Sequence, residues 1–198
     1  LAAFYNRYDN FLESNVVVED NPDPTPDVVT TVNRQEVEIY GMELRWDWRA
    51  DASLGEWAGF ETGVSGSWTE GERTDVGQPL NSVEPWKAVA YIGYRPEGDR
   101  WGVRLTATHI GEKDGDDIDQ TTDAGVIDPV DSVTLLDLSA FYRFNEHWSL
   151  RGGINNLTDE AYFLWSTARR GDGHGTAAGA ARNTQPGING FISLNASF

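Results

Sequence analysis

The sequence predicts an all-β chain whose strands build a transmembrane antiparallel β-barrel. Three observations carry that expectation. Stretches of roughly ten residues alternate apolar and polar side chains along the whole chain. The connections between them alternate strictly between short and long, and aromatic residues gather at the ends of the alternating stretches. A strand sends successive side chains to opposite faces, and a tilted strand of about ten residues crosses the hydrocarbon core of a bilayer. Lipid asks for an apolar outer face, whereas a water-filled or plugged lumen accepts a polar inner one.

Eight strands follow in order. Leu1 to Glu13 is the first. In the second, Tyr40, Met42, Leu44, Trp46 and Trp48 alternate with Gly41, Glu43, Arg45, Asp47 and Arg49. Gly59 to Thr69 is the third. Trp86 to Arg95 is the fourth, and its faces stay open because Val89 and Tyr91 compete with Ala88, Ala90 and Ile92. The fifth sets Trp101, Val103, Leu105 and Ala107 against Arg104, Thr106 and Thr108. In the sixth, Leu136, Leu138, Ala140, Tyr142 and Phe144 share one face, opposite Asp137, Ser139 and Arg143 with Leu135 and Phe141. The seventh sets Trp148, Leu150 and Ile154 against Ser149, Arg151, Gly153 and Asn155. The last alternates Ile192, Leu194, Ala196 and Phe198 with Ser193, Asn195 and Ser197. Residues 50–58, 96–100 and 145–147 make short connections, while 14–33, 70–85, 110–133 and 158–186 make long ones. Tight periplasmic turns and extended external loops are the outer-membrane pattern.

Composition narrows the function. The 198 residues carry 32 acids against 15 bases, a net charge of −17, and no cysteine. Nucleic acid is therefore excluded as a partner, since phosphate neutralisation needs clustered Lys and Arg. Disulfide scaffolds, Cys-ligated zinc and thiol catalysis are excluded as well. No apolar run approaches the length of a membrane helix, and the mean hydropathy is −0.49. The opening Leu-Ala-Ala-Phe, with neither Met nor a signal peptide, is expected to lie inside a longer protein. Glu43, Arg45, Asp47, Glu61, Arg104, Asp137, Arg143 and Arg151 fall on the inner face. They are too polar for the packed core of a soluble sandwich, which is the competing architecture. Most of the negative charge sits in the long connections: four acids and no base in 14–33, four acids against Arg73 in 70–85, and eight against Lys113 in 110–133. Only 158–186 is neutral, with three acids and three bases.

The stretch Arg151 to Arg169, RGGINNLTDEAYFLWSTAR, resembles the penultimate strand and following loop of TonB-dependent outer-membrane receptors, in which Asn-Leu, a short polar spacer and Tyr recur. Its continuation through Trp165 and Arg169 resembles the haem and haemoglobin receptor branch. So do VEIYGMELRWDW (Val37 to Trp48), Pro79 to Asp114, and the terminal PGINGFISLNASF, in colinear order. Ile188 departs from the pattern, since the family commonly has Arg after Pro-Gly. The resemblance implies a plugged barrel of twenty-two strands, of which residues 1–198 supply the last eight without the plug. It further implies a receptor in the outer membrane of a Gram-negative bacterium, energised through TonB, with no permanently bound cofactor and with haem as the transported ligand. Its partners would be haem or a haemoprotein, TonB through the absent plug, and outer-membrane lipid. The family's haem-binding histidines lie on the plug and in an earlier external loop, so no iron ligand carries over to this chain.

Within residues 158–186, His174 in RRGDGHG is a candidate for haem contact, because neutral imidazole ligates iron. Arg169 and Arg170 could pair with a propionate and Trp165 could offer a flat apolar face; the competing role of Trp165, Arg169 and Arg170 is packing against the barrel rim, and that of His174 is a solvated loop histidine. His109 is expected in an aromatic girdle and His147 in a short turn. The acidic run Glu112 to Asp131 lacks the glycine and terminal Glu of a calcium loop and reads as a solvated loop. The Arg170-Gly171-Asp172 tripeptide is too short to carry meaning. Phe198 resembles the terminal signal for barrel assembly. No metal-spaced cluster, nucleophile-base pairing or phosphate-binding loop stands out, and the chain reads as a transporter and not an enzyme. A ferric siderophore is the alternative cargo, and a complete eight-stranded structural or adhesive barrel is the alternative architecture.

Overall fold

Alternation becomes structure as a single antiparallel sheet. The structure is a computed structural model that describes residues 1–19, 28–120, 129–169 and 183–197. Its strands are β1 (Ala2–Glu19), β2 (Val28–Arg49), β3 (Phe60–Arg73), β4 (Gln78–Pro79), β5 (Lys87–Tyr94), β6 (Trp101–Ile110), β7 (Val133–Arg143), β8 (Trp148–Asn155) and β9 (Asn189–Ala196), with one helical turn, α1 (Trp165–Ala168). Apart from the two-residue β4, which folds back onto β3, each strand pairs with its sequence neighbour. The eight expected strands are all present.

The expected faces hold, and the register settles the open one. Tyr91 donates its hydroxyl to Asp47 at 2.9 Å, so Val89 and Tyr91 belong to the polar face while Ala88, Ala90 and Ile92 point outward. Outward-facing Trp46, Ile92, Leu105 and Leu138 remain exposed, as residues meant for lipid should. Aromatic girdles bound this band. Trp57, Phe60, Tyr94 and Trp101 form a chain of ring contacts at the short-turn end, with Tyr142 against Phe144. At the long-loop end Tyr40 meets Trp68, and the His109 ring lies 4.7 Å from that of Trp86. Trp101 and His109 bound nine residues of β6, the length of tilted strand that crosses a bilayer's apolar band.

The polar face is concave. Arg104 on β6 reaches over β5 to Glu61 on β3, and Tyr91 reaches over β3 to Asp47 on β2. Four glycines on this face each lie beneath the aromatic ring paired with them across the ladder: Gly41 under Phe4, Gly63 under Tyr91, Gly102 under Phe141 and Gly153 under Phe191. A Cβ at Gly102 would meet the Phe141 ring at 2.6 Å, so glycine is what allows the ring to lie flat on the neighbouring backbone.

Two expectations are corrected. Residues 14–33 are not a loop throughout, because β1 runs on to Glu19 and β2 starts at Val28. The β-branched Val16, Val17 and Val18 and the run Val28 to Val32 favour strand. β2 pairs with β3 only over Val37–Arg49, so Val28–Glu36 and the upper part of β1 form a two-stranded arm past the sheet, with register shifts between Glu13 and Val16 and between Val17 and Glu19. A complete eight-stranded barrel is also not what forms, since among the described residues β1 pairs only with β2 and β9 only with β8. Free strand edges in lipid leave N–H and C=O groups without partners, so this curved wall suits part of a larger barrel. Phe198 lies outside the described residues.

Candidate functional site

At the long-loop end, three connections fold onto one another and cap the wall. The first begins where β4 returns along β3 and Leu80 donates its N–H to Gly71. This brings Leu80 and Val83 onto Val37, with Phe11 and Ile39 packed beside them. The same connection secures the arm. Glu13, 3% exposed, accepts from Arg34 Nε at 2.9 Å and from the Ser82 N–H at 3.2 Å.

Asn81 joins all three connections. Its side chain closes a reciprocal pair with the Asp119 backbone, donating at 2.9 Å to the carbonyl and accepting at 2.8 Å from the N–H, while its own carbonyl accepts the Trp165 indole N–H at 2.8 Å. Asp119, 1% exposed, also accepts from Arg73 Nη1 at 2.9 Å. Ile118, Val130, Trp165 and Ala168 form the apolar centre, with Phe163 against it. Lys113, bridged to Val130, holds its ammonium 5.7 Å from the Trp165 ring centroid. Burial lowers the Lys113 ammonium below its ordinary range, against the pull of Asp117, Glu84, Glu70 and Asp114. Burial likewise raises the neighbouring Glu84 carboxyl, against Arg169, Lys113 and the Ser166 N–H.

The Asn-Leu motif has a mechanical role at the foot of the third connection. Asn156, left-handed and 4% exposed, donates to the carbonyls of Glu160 and Pro186 and accepts from the Glu160 N–H, while its own N–H goes to Asp137. Asp159 accepts the Ile188 N–H at 2.7 Å. That contact is to backbone, so an Ile in place of Arg at 188 leaves it intact.

Of the sequence candidates, Trp165 is 2% exposed and is a packing residue, its ring covered by the cap it centres. Arg169 closes α1, its N–H bonded to the Trp165 carbonyl, and lies near Glu84. Arg170 and His174 fall outside the described residues. His109 accepts or donates at Nδ1 to Thr134, and His147 sits in its short turn against the Ser197 carbonyl. The acidic run is not wholly solvated: Asp114 caps the turn Gly115–Asp117 and Asp119 is the buried partner of Arg73. Among the described residues no group of three or more His, Asp or Glu is arranged to hold a metal ion. Asn81, Arg73, Glu13 and Arg34 were not singled out by sequence, since each acts through partners distant along the chain.

On the concave face, four of the eight expected charges, Arg45, Asp47, Glu61 and Arg104, are linked through Tyr91. Arg45 pairs with Asp47 at 2.8 Å, and Arg104 stacks over Tyr91 at 4.2 Å while donating to Glu61 at 2.6 Å. Arg95 reaches Glu61 at 3.5 Å. A polar lattice on a concave wall, an apolar band outside and a loop cap at one end are the parts of a transport barrel.

Known proteins agree with these parts. Hemoglobin-haptoglobin utilization protein B of Neisseria meningitidis serogroup C is 29% identical over 100% of this chain and 27% of its own length. Hemoglobin-haptoglobin-binding protein A of Haemophilus influenzae is 27% identical over 97% of this chain and 19% of its own. The chain thus spans about a quarter or less of these relatives. Among solved structures, the copper transporter OprC superposes over 99% of this chain and 28% of its own with a TM-score of 0.74 at 16% identity. The ferric enterobactin receptor PfeA of Pseudomonas aeruginosa does so over the same shares with 0.67 at 22%. At these identities the two share the fold. The family profile described as TonB dependent receptor-like, beta-barrel, matches residues 1–157. The chain, a wall of strands with a folded loop cap, belongs to the TonB-dependent receptor β-barrel family, whose members are transport receptors and not enzymes.

Proposed function

We propose that residues 1–198 are the C-terminal wall and outer cap of an outer-membrane receptor that takes up haem from a haemoprotein, with TonB supplying the energy through a plug outside this chain. The observation that carries this reading is the colinear match of the whole chain to receptors named for hemoglobin and haptoglobin. The family's barrels lie in the outer membrane, and in this reading the short turns face the periplasm and the cap faces outside. A projecting arm and a folded cap give a protein ligand a large surface to meet. Within the third connection, Trp165 supplies packing, so contact with an anionic ligand falls to Arg169, Arg170 and His174. Haem is cargo here, and no resident cofactor is needed.

A ferric siderophore is the second reading, supported by the superposition on the ferric enterobactin receptor. Growth separates the two. Cells relying on the full-length receptor should grow with hemoglobin or haem as sole iron source. Growth on a ferric siderophore with none on haem would overturn the haem reading.

A further inference from the structure

The short-turn end of the lipid-facing surface carries a cation that the protein itself does not neutralise. From Trp101 up to the long-loop girdle, the outward positions of β5, β6, β7 and β8 hold no charged side chain. Arg100 stands one residue beyond Trp101, in the turn between β5 and β6, and is exposed. Its guanidinium carbon lies 5.3 Å from the centre of the Tyr142 ring. Tyr142 pairs directly with the outward Trp101, and its ring meets that of Phe144 at 5.1 Å. Trp101, Phe144 and Trp148 of the same girdle are 41%, 52% and 39% exposed.

The acids of this turn serve the other side of the wall. Asp99, next to Arg100 in sequence, is left-handed and is held by Arg49 at 2.8 Å, with Arg95 at 4.0 Å. Glu97 lines a cavity with those same two arginines. Among the described residues Arg100 has no ion pair, whereas Arg49, Arg95 and Arg104 at the same end each have one.

Stacking on a ring uses the face of a guanidinium and leaves its N–H rim free. That rim matches the oxygens of a phosphate, which it can grip through two parallel hydrogen bonds. Girdle rings sit at head-group depth, where an unpaired arginine is drawn to anionic lipid. A soluble anion would satisfy the cation and leave the exposed rings in water; a lipid answers both.

We infer that Arg100, on its Tyr142 platform, is a binding site for the phosphate of an anionic phospholipid whose acyl chains lie along Trp101, Phe144 and Trp148. The inference rests on the membrane orientation proposed above, with the short turns at the phospholipid leaflet, and not on the cargo.

The test uses the full-length receptor in lipid nanodiscs with no iron source present, so a failure of the haem reading does not enter. Phosphatidylglycerol and phosphatidylcholine, each carrying a photoactivatable head group and matched chains, are crosslinked to the parent, Arg100→Gln and Arg100→Lys. Yields are read by mass spectrometry on peptides covering residues 94–101 and 142–148. The parent should favour phosphatidylglycerol about tenfold, the worth of one charge-assisted hydrogen bond. The preference should vanish in Arg100→Gln and survive in part in Arg100→Lys, and millimolar inorganic phosphate should leave the yields unchanged. The inference is overturned if the parent shows no preference or if Arg100→Gln keeps it. It also fails if Arg100→Lys is as impaired as Arg100→Gln, since charge would not be what holds the lipid. Displacement by inorganic phosphate would reduce the site to a bare anion contact and overturn the lipid assignment.

Discussion

Asn81→Ala isolates the joint of the cap. The substitution leaves β4 and the sheet untouched, because β4 pairs through Gln78 and Pro79 and the Asn81 carbonyl that receives the Trp165 indole is backbone. What disappears is the reciprocal pair with the Asp119 backbone, at 2.8 and 2.9 Å. Asp119 is 1% exposed, so water does not replace the lost partners without opening the cap. Each orphaned group costs about 1–3 kcal/mol, and the cap should lose roughly 2–4 kcal/mol of local stability once partial relaxation is allowed. At 1.4 kcal/mol per decade, amide exchange near Ile118 and Trp165 should accelerate roughly thirty- to thousandfold. Hydrogen exchange by mass spectrometry on the full-length receptor in detergent reads this directly, with β6 and β7 as internal standards. Exchange in the cap within twofold of the parent would refute the role given to Asn81. Equal acceleration in cap and strands would show a general loss of fold in place of a released joint.

Gly102→Val should destabilise the wall by about 1–3 kcal/mol, because a side chain there meets the Phe141 ring at 2.6 Å; a lowered thermal midpoint checks it, and the added Phe141→Ala change should recover part of the loss. Glu13→Gln removes the buried partner of Arg34 and should cost about 2–4 kcal/mol locally, read as faster exchange in the arm with the sheet unchanged. Trp165→Ala should cost the cap about 3–5 kcal/mol, visible as protease cleavage in residues 111–120. For Glu84, the carboxyl binds its proton more tightly in the closed cap than in the open one. Its contribution is therefore fully present below the ordinary value of 4.5 and is lost as pH rises through the raised one. Cap exchange, corrected for intrinsic rates, should accelerate over that interval in the parent and stay flat in Glu84→Gln.

The wall was legible because two solvents write on it. Lipid selects Trp46, Leu105 and Leu138 at one parity and the lumen selects Asp47, Arg104 and Asp137 at the other, so each strand can be read without knowing its neighbours. β5 escaped this reading because Tyr91 is apolar in body and polar at its hydroxyl, and only its bond to Asp47, 44 positions away, decides its face. The arm was missed for a local reason: turn-forming Asn, Asp and Pro in residues 20–27 outweighed the valines on either side of them. The cap was illegible for a long-range one. Asn81 meets Asp119 across 38 positions and Trp165 across 84, and no periodicity reports such contacts. For Trp165 the sequence leaves ligand contact and rim packing side by side, because an indole suits both roles; its 2% exposure and its bond to the Asn81 carbonyl are what packing requires.

Charge reads differently once its partners are known. The acidic run Glu112 to Asp131 reads as a solvated loop, yet its Asp119 is spent inside an ion pair with Arg73, and on the strands below Glu13 pairs with Arg34 and Glu36 with Arg7. These pairs tie the arm and the cap to the strands below, so part of the acidity is structural and does not face an approaching ligand. The bases are distributed in the opposite sense. At the short-turn end Arg143 and Arg151 add to Arg95 and Arg104 with only Glu61 between them. Carboxylates held in ion pairs thus gather toward the cap, while Arg143 and Arg151, without an ion pair among the described residues, stand toward the short turns.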